Sequence, residues 1–282
     1  MIARHRAAFP LGLMCRVLGV ARSGFYAWSD RDPSARAQAD RPLQVAVAAS
    51  HRRSVGTYGS PRILRDLQAA GHRVGRKRVA RLMAQLRLVG ATRRRGRRTT
   101  HSDHAWPIAP NVLDRQFVVA APNHAWVADV TYCWTDEGWL YLAVVLDLCA
   151  RRIVGWATSA HLDRDLIQTA LARALAVRGG VRLHHSDRGS VYASQDYRAV
   201  LATHGITVSM SRRGDCYDNA VVESFFATVK RELLARQTWT TRAATTAALA
   251  QYIDGWYNPL RRHSHLGYLS PAAFEQQLRL AA

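Results

Sequence analysis

The chain has 282 residues, enough for about two domains with a sizeable core. Its 48% hydrophobic and 21% charged residues exclude a purely disordered chain. Forty Lys+Arg against twenty Asp+Glu give a formal charge of +20, which points to a polyanionic partner, with nucleic acid the first candidate.

The excess charge is lopsided: residues 1–100 hold 22 basic and 4 acidic side chains, whereas residues 101–282 hold 18 and 16. Only Lys77 and Lys230 are lysines, so the basic half relies on Arg, whose planar fork binds phosphate in bidentate fashion. An arginine-rich codon bias would explain the shortage of lysine but not the asymmetry. Residues 10–28 read as a short helix, a turn at Gly19 and Val20, and a second helix from Ser23, with Leu13, Val17, Val20 and Tyr26 turned inward. After a polar break at 29–42, a helix is expected over 43–54. A second helix-turn-helix-like stretch spans 58–90, with helices at 60–70, capped by Ser60 with Pro61 behind it, and at 75–88. In the latter, Val79, Leu82, Met83 and Leu86 form an apolar stripe, while Arg76, Lys77, Arg78, Arg81 and Arg87 are expected to face phosphate. Residues 91–100 carry Arg93, Arg94, Arg95, Arg97 and Arg98 without any apolar period and read as a basic linker that tracks a DNA backbone.

From residue 123 the pattern changes to strands. Residues 125–134, 139–147 and 151–157 are apolar, rich in β-branched and aromatic residues, and separated by turn residues, which predicts three antiparallel strands. A helix at 163–177, a strand at 181–185, a helix at 194–204, a strand at 206–210 and helices near 218–235 and 240–257 complete a mixed sheet covered by helices. The four cysteines (Cys15, Cys133, Cys149 and Cys216) show neither disulfide-framework nor zinc-site spacing, so a reducing cytoplasm is the expected setting. The apolar run 140–146 stops at Asp147, far short of a membrane span, and Pro10 breaks the first apolar run of a secretory signal.

Three acids stand out by position. Asp129 interrupts an apolar strand, where an unpaired carboxylate is costly; Asp187 lies just past a strand; and Glu223 opens a helix. Together they can hold a pair of Mg²⁺ or Mn²⁺ ions, and two such ions clamp the attacking and leaving oxygens of a phosphoryl transfer. Each acid taken alone is also compatible with a structural ion pair. Lys230, seven positions past Glu223, returns to the same helical face about 10.5 Å along the axis, within reach of a DNA phosphate or of a neighbouring acid. His184 and His185 point to opposite faces of their strand and cannot share a metal; His185 is at best an outer contact. Asn219, one turn before Glu223, is placed to orient DNA or water. Asp215 and Asp218 are expected to order a loop and cap a helix, and Asp147 to play a structural part.

The ladder Asp129, Asp187, a 35-residue gap, Glu223 and Lys230 resembles the DD(35)E signature of retroviral integrases and related bacterial transposases. WVADVTY, GWLYLAVVLDLCARRIVGW, HSDRGSVYAS, GDCYDNAVVESFFATVKREL and YNPLRRHSHLGYLSPAAFE are closer still to OrfB-type transposases of insertion-sequence family three, as are LMCRVLGVARSGFYAW and YGSPRILRDL in the basic half. The likeness covers about residues 10–277. Val191 departs from it, standing where the family usually has Gln, and there is no N-terminal His/Cys zinc module. The resemblance implies an α/β fold with a ribonuclease-H-like mixed sheet flanked by helices at 113–277, preceded by an all-α helix-turn-helix region over 1–100. It implies an enzyme with two Mg²⁺ or Mn²⁺ ions that frees a 3′-hydroxyl at element ends and joins it to target DNA, acting as a homo-oligomer on double-stranded DNA at the bacterial nucleoid and partnered or fused with the product of an upstream frame. No heptad repeat is visible that would supply such a partner's coiled coil. A nuclease of the same fold that only hydrolyses and a non-catalytic DNA-binding repressor are the competing readings.

Overall fold

The structure, a computed structural model, describes residues 1–91, 108–212 and 216–281. The arginine run 93–98 and Asp215 lie outside the described residues. Three short helices open the chain: α1 (Ile2–His5), α2 (Leu11–Val17) and α3 (Arg22–Ser29). They bury Ile2, Cys15 and Phe25, with Leu11 and Met14 partly covered. This corrects the expected inward face, since Leu13, Val17, Val20 and Tyr26 are all exposed. The physical reason is that the contact takes the 11/14/15 side of α2, which turns 13 and 17 outward.

Next, α4 (Ala35–Arg53) starts eight residues before the expected helix, because Ser34 Oγ caps it by accepting from Ala37 N, and the helix continues through Pro42. In α5 (Ser60–Ala69) the cap position is Gly59 rather than Ser60, and no side chain caps it. With α6 (Arg76–Gln85) these helices pack around Val47, Ile63, Leu67, Val79 and Leu82. Arg78 and Arg81, expected to face phosphate, instead bind Asp40 of α4 at 2.8 and 2.6 Å. That pairing holds the Asp40 carboxyl below its usual range, Arg81 contributing most and Arg78 next. Arg76, Lys77 and Arg87 remain exposed.

The second half is built on a five-stranded sheet: β1 (Ala125–Thr135), β2 (Gly138–Asp147), β3 (Arg152–Ser159), β4 (Leu183–Ser186) and β5 (Thr207–Met210). In space the order is β3-β2-β1-β4-β5, the first three antiparallel and β4 and β5 parallel to β1. The two-residue period divides the core. Val127, Leu142, Val144 and Leu146 face one side, under α10 (Ala220–Glu232) and α11 (Arg242–Ala250). Ala128, Ala143, Val145 and Val154 face the other, under α7 (Arg164–Arg178) and α9 (Gln195–Thr203), with the single turn α8 (Ser190–Ala193) before α9. At Gly155 a Cβ would lie 2.2 Å from Ala170 O and 2.7 Å from Ala174 N, so the close approach of β3 and α7 requires glycine.

A C-terminal segment straps the two halves together. After α11 the helix widens over Gln251–Tyr257, and α12 (Pro271–Ala281), which was not expected, follows. Asn258 acts as an extra strand partner, accepting from Ile153 N and donating to Ile153 O. Glu275 of α12 binds Arg152 at 2.7 Å and Arg178 at 2.5 Å. Arg262 reaches the helical half: its N–H donates to Tyr58 Oη at 2.7 Å and its Nε to Asp66 at 2.6 Å, beside the stacked Tyr58 and Trp256 rings. Asp147 is buried and accepts from the backbone of Asn123, Cys149 and Ala150, the structural part expected of it. None of the described helices is long and apolar enough to cross a membrane.

Two expected outcomes follow from the packing. Gly155→Ala should destabilise the protein by about 1–3 kcal/mol in urea unfolding, the range for an overpacked core. An unchanged midpoint would show that α7 can move off β3 freely. His184 is buried against Tyr197 Oη at 3.0 Å, and burial pushes its pKa down to about 3. The unfolded chain therefore takes up a proton first, so stability present above pH 6.5 is lost as the pH falls, at about 1.4 kcal/mol per pH unit. His184→Asn should remove that contribution between pH 6.5 and 5; an identical pH slope in wild type and variant would contradict it.

Candidate active site

Asp129 sits on β1 opposite Val144, on the sheet face covered by α10. Its Oδ1 accepts from Val130 N at 2.7 Å. β4 runs parallel to β1 as far as the pair Ala128 and Ser186, so Asp187, the next residue, leaves the sheet beside Asp129, about one strand spacing away. Asp187 Oδ1 accepts from Gly189 N at 2.9 Å, and a Cβ on Gly189 would come within 3.0 Å of that oxygen. Glu223 lies in the first turn of α10 and is exposed, while Val222, Phe225, Phe226 and Val229 of the same helix enter the core.

Asp187 and Glu223 both act on Asp129. Burial raises the Asp129 carboxyl well above the carboxylate range, repulsion from Asp187 adds to this and Glu223 adds less, while the Val130 N–H and Lys230 oppose the rise. Asp187 and Glu223 thus lie within electrostatic reach of Asp129. Among the described residues, no three His, Cys, Asp or Glu side chains already stand as a closed metal-binding cluster. The donor chemistry suits a hard cation even so, being oxygen only and rich in negative charge.

Lys230 is on the same helix, with its ammonium 5.2 Å from the centre of the Tyr132 ring. Burial lowers its pKa, and Cys133 and Asp129 pull it back up. Asn219 differs from expectation: it is buried and its Nδ2 donates to Ala128 O at 3.2 Å, fixing the start of α10 to β1 one residue before Asp129. That donor is therefore turned to the strand and not to DNA, while the Asn219 Oδ1 is buried without a hydrogen-bond partner among the described residues. His185, expected as an outer contact, is fully buried, with Nδ1 bonded to Ser209 Oγ at 2.8 Å and Nε2 to Ser211 Oγ at 3.2 Å. Burial pushes its pKa down to about 4, so it is a neutral brace for the loop behind Asp187.

That loop is clamped by Asp218, which has no exposed surface and binds Arg212, Arg115 and Asn111. The Arg212 hydrogen bond is the largest cause of its carboxyl lying far below the usual range. Of the two parts expected of Asp218, it orders the loop but does not cap the helix, because the start of α10 has no side-chain cap. Arg115 and the serines Ser209 and Ser211 carried no local signal in the sequence. Lying next to the catalytic strands in space but remote in chain order, they could be found only through the fold.

The chain is similar to several known proteins. Family models described as integrase core domain match residues 119–216 and 204–271, and one described as HTH-like domain matches 37–96. A 31 kDa protein of insertion element IS600 from Shigella sonnei is 44% identical over 94% of this chain and 98% of its own. The transposase InsF of insertion sequence IS3A from Escherichia coli K12 is 41% identical over 98% of this chain and 97% of its own. A solved HTLV-2 integrase catalytic core in complex with magnesium is 19% identical and superposes with a TM-score of 0.42, over 55% of this chain and 97% of that one. Near-full-length identity to InsF, together with an integrase-core sheet and an HTH-like helical unit, shows that the chain belongs to the IS3-family transposases, enzymes of the DDE polynucleotidyl transferase class.

Proposed function

We propose that this transposase frees a 3′-hydroxyl at the ends of its element and then uses it to attack target DNA, with Asp129, Asp187 and Glu223 as the ligands of two divalent cations. What carries the proposal is the arrangement in which Asp187 leaves β4 beside Asp129 of β1 while Glu223 opens the helix packed on that sheet face, and the rise in the Asp129 carboxyl caused by burial and its two acidic neighbours supports it. A site that pays for holding three acids together is explained by positive charge arriving between them. Mg²⁺ or Mn²⁺ would be held by these oxygens and would supply charge stabilisation at the attacking and leaving oxygens.

The remaining work falls to side chains of this chain. In cleavage, a water oxygen attacks the phosphorus and the bond to the 3′-oxygen breaks; in joining, that 3′-oxygen attacks a target phosphorus and displaces a target 3′-oxygen. Lys230 grips a phosphate near the scissile bond, and Asn219 and the Asp218 clamp keep α10 and its loop from moving under the strand. Residues 1–100 grip duplex DNA, with Arg76 and Lys77 at the exposed start of α6 and the arginines at 93, 94, 95, 97 and 98 following the backbone. Arg78 and Arg81 are committed to Asp40 and contribute little to that grip. Residues 113–277 cut and join. Pairing two ends calls for a homo-oligomer on DNA, with an upstream-frame product as partner, at work on the nucleoid in the cytoplasm.

Asp129→Asn, Asp187→Asn and Glu223→Gln should each abolish Mg²⁺-dependent joining of a labelled end to plasmid while leaving DNA affinity within about twofold, because they remove ligands and not phosphate contacts. Near wild-type joining by any one variant would remove that residue from the site, and cutting without joining in the wild type would leave a nuclease. Arg76→Ala with Lys77→Ala should reduce the slope of log affinity against log salt by about two units, at about 0.9 per phosphate contact. An unchanged slope would place the DNA elsewhere.

A further inference from the structure

Beyond Ala128, β4 no longer accompanies β1. Along this part of β1 runs the chain that follows α10, and Asp136 N donates to Trp239 O. Between the two lies a groove of about 370 Å³ lined by Tyr132, Cys133, Trp134, Lys230, Leu234 and Trp239. That volume falls within the range of small-ligand sites. Its walls are mostly apolar and aromatic, and its single charge is the Lys230 ammonium.

Two aromatic rings that line it are not core residues: Tyr132 is 46% exposed and Trp134 58%, and Trp139 of β2, itself 44% exposed, packs against both. They stand edge to face, with Trp139 4.9 Å from Trp134 and 5.0 Å from Tyr132. Aromatic faces left open to water on a rigid hairpin, beside a cation, suit an unstacked nucleobase, since the base is flat and apolar on its faces and its phosphate is anionic.

Position agrees with this occupant. Tyr132 is three strand residues past Asp129, about 10 Å along β1; its side chain starts from the strand face opposite Asp129, but the Lys230 ammonium reaches its ring to 5.2 Å at the open edge of β1, and Lys230 is about 10.5 Å along α10 from Glu223. The groove therefore opens a few nucleotide steps from the phosphate at the carboxylates, at about 3.4 Å per step of duplex.

We propose that this groove captures one unpaired nucleobase of the DNA within about three positions of the cut, stacking it on the Tyr132 and Trp134 side while Lys230 takes the adjoining phosphate. The proposal rests on the assignment of the carboxylates as the cutting site. Unstacking a base next to the scissile phosphate would loosen the strand that must bend into the site, at the lowest cost where the duplex end already frays.

The test uses the full chain, without metal, and two fluorescent oligonucleotides: a blunt duplex, and the same duplex with its last three nucleotides unpaired. The wild type should prefer the frayed end by about tenfold, within the range for stacking on one aromatic ring. Trp134→Leu keeps an apolar side chain without a ring face and should lower that preference to about twofold or less, whereas Trp134→Tyr should retain most of it. A wild-type ratio near one, the same ratio in all three proteins, or an equal loss in both variants would overturn the proposal. Because the ratio is read without metal, its failure leaves the joining reaction untouched, and failure of joining in Mg²⁺ leaves the ratio to be read.

Discussion

Three carboxylates that repel one another have to be held in one place, and much of the second half of the chain serves that constraint. Left to itself, the pair Asp129 and Asp187 would separate or protonate, and the rise in the Asp129 carboxyl is the sign of that tension. Restraint comes from elements that are satisfied in themselves. Asp129 is fixed by a central strand paired with β2 along its length and with β4 up to Ala128, Asp187 by the end of β4 and by the Gly189 N–H, and Glu223 by a helix whose start is tied to β1 through Asn219. Asp218, just before α10, is answered by two guanidinium groups and so does not add to the repulsion. His185 behind Asp187 is kept neutral by burial and so can brace the loop without changing the charge of the site.

The strands and the acidic ladder were legible in the sequence because they depend on local pattern. The period-two runs of β1 and β2, the turn residues between them and the 35-residue gap from Asp187 to Glu223 survive into the structure with boundary shifts of one or two residues. What was hidden depends on partners far apart in the chain. Asp40 takes Arg78 and Arg81 from 38 and 41 residues away, which turns two side chains of an apparently phosphate-facing stripe into a structural pair. The amide of Asn219 could be read as facing DNA until β1 was known to pass beneath it. In the first helices, the apolar residues Leu13 and Val17 gave an inward face by period alone, yet α1 docks on the other side of α2.

The strap formed by residues 251–281 joins recognition to chemistry. Glu232 and Arg261 form a pair with almost no exposed surface, and the Arg261 bonds hold the Glu232 carboxyl low although burial alone would raise it. One residue further on, Arg262 grips Tyr58 and Asp66 in the helical half. Two neighbouring arginines thus tie α5 of the helical half to the C-terminal end of α10, the helix that carries Glu223 and Lys230.

The central claim, that the carboxylates are strained toward one another to receive cations, is tested most directly by thermal unfolding of the wild type and Asp129→Asn with and without Mn²⁺. Without metal, the variant should be at least as stable as the wild type, since it loses a repelling charge. With metal, the wild type should gain stability by mass action, about 2.7 kcal/mol at a hundredfold excess over the dissociation constant, while the variant gains far less. A variant less stable than the wild type without metal, or an equal gain in both proteins, would contradict the account.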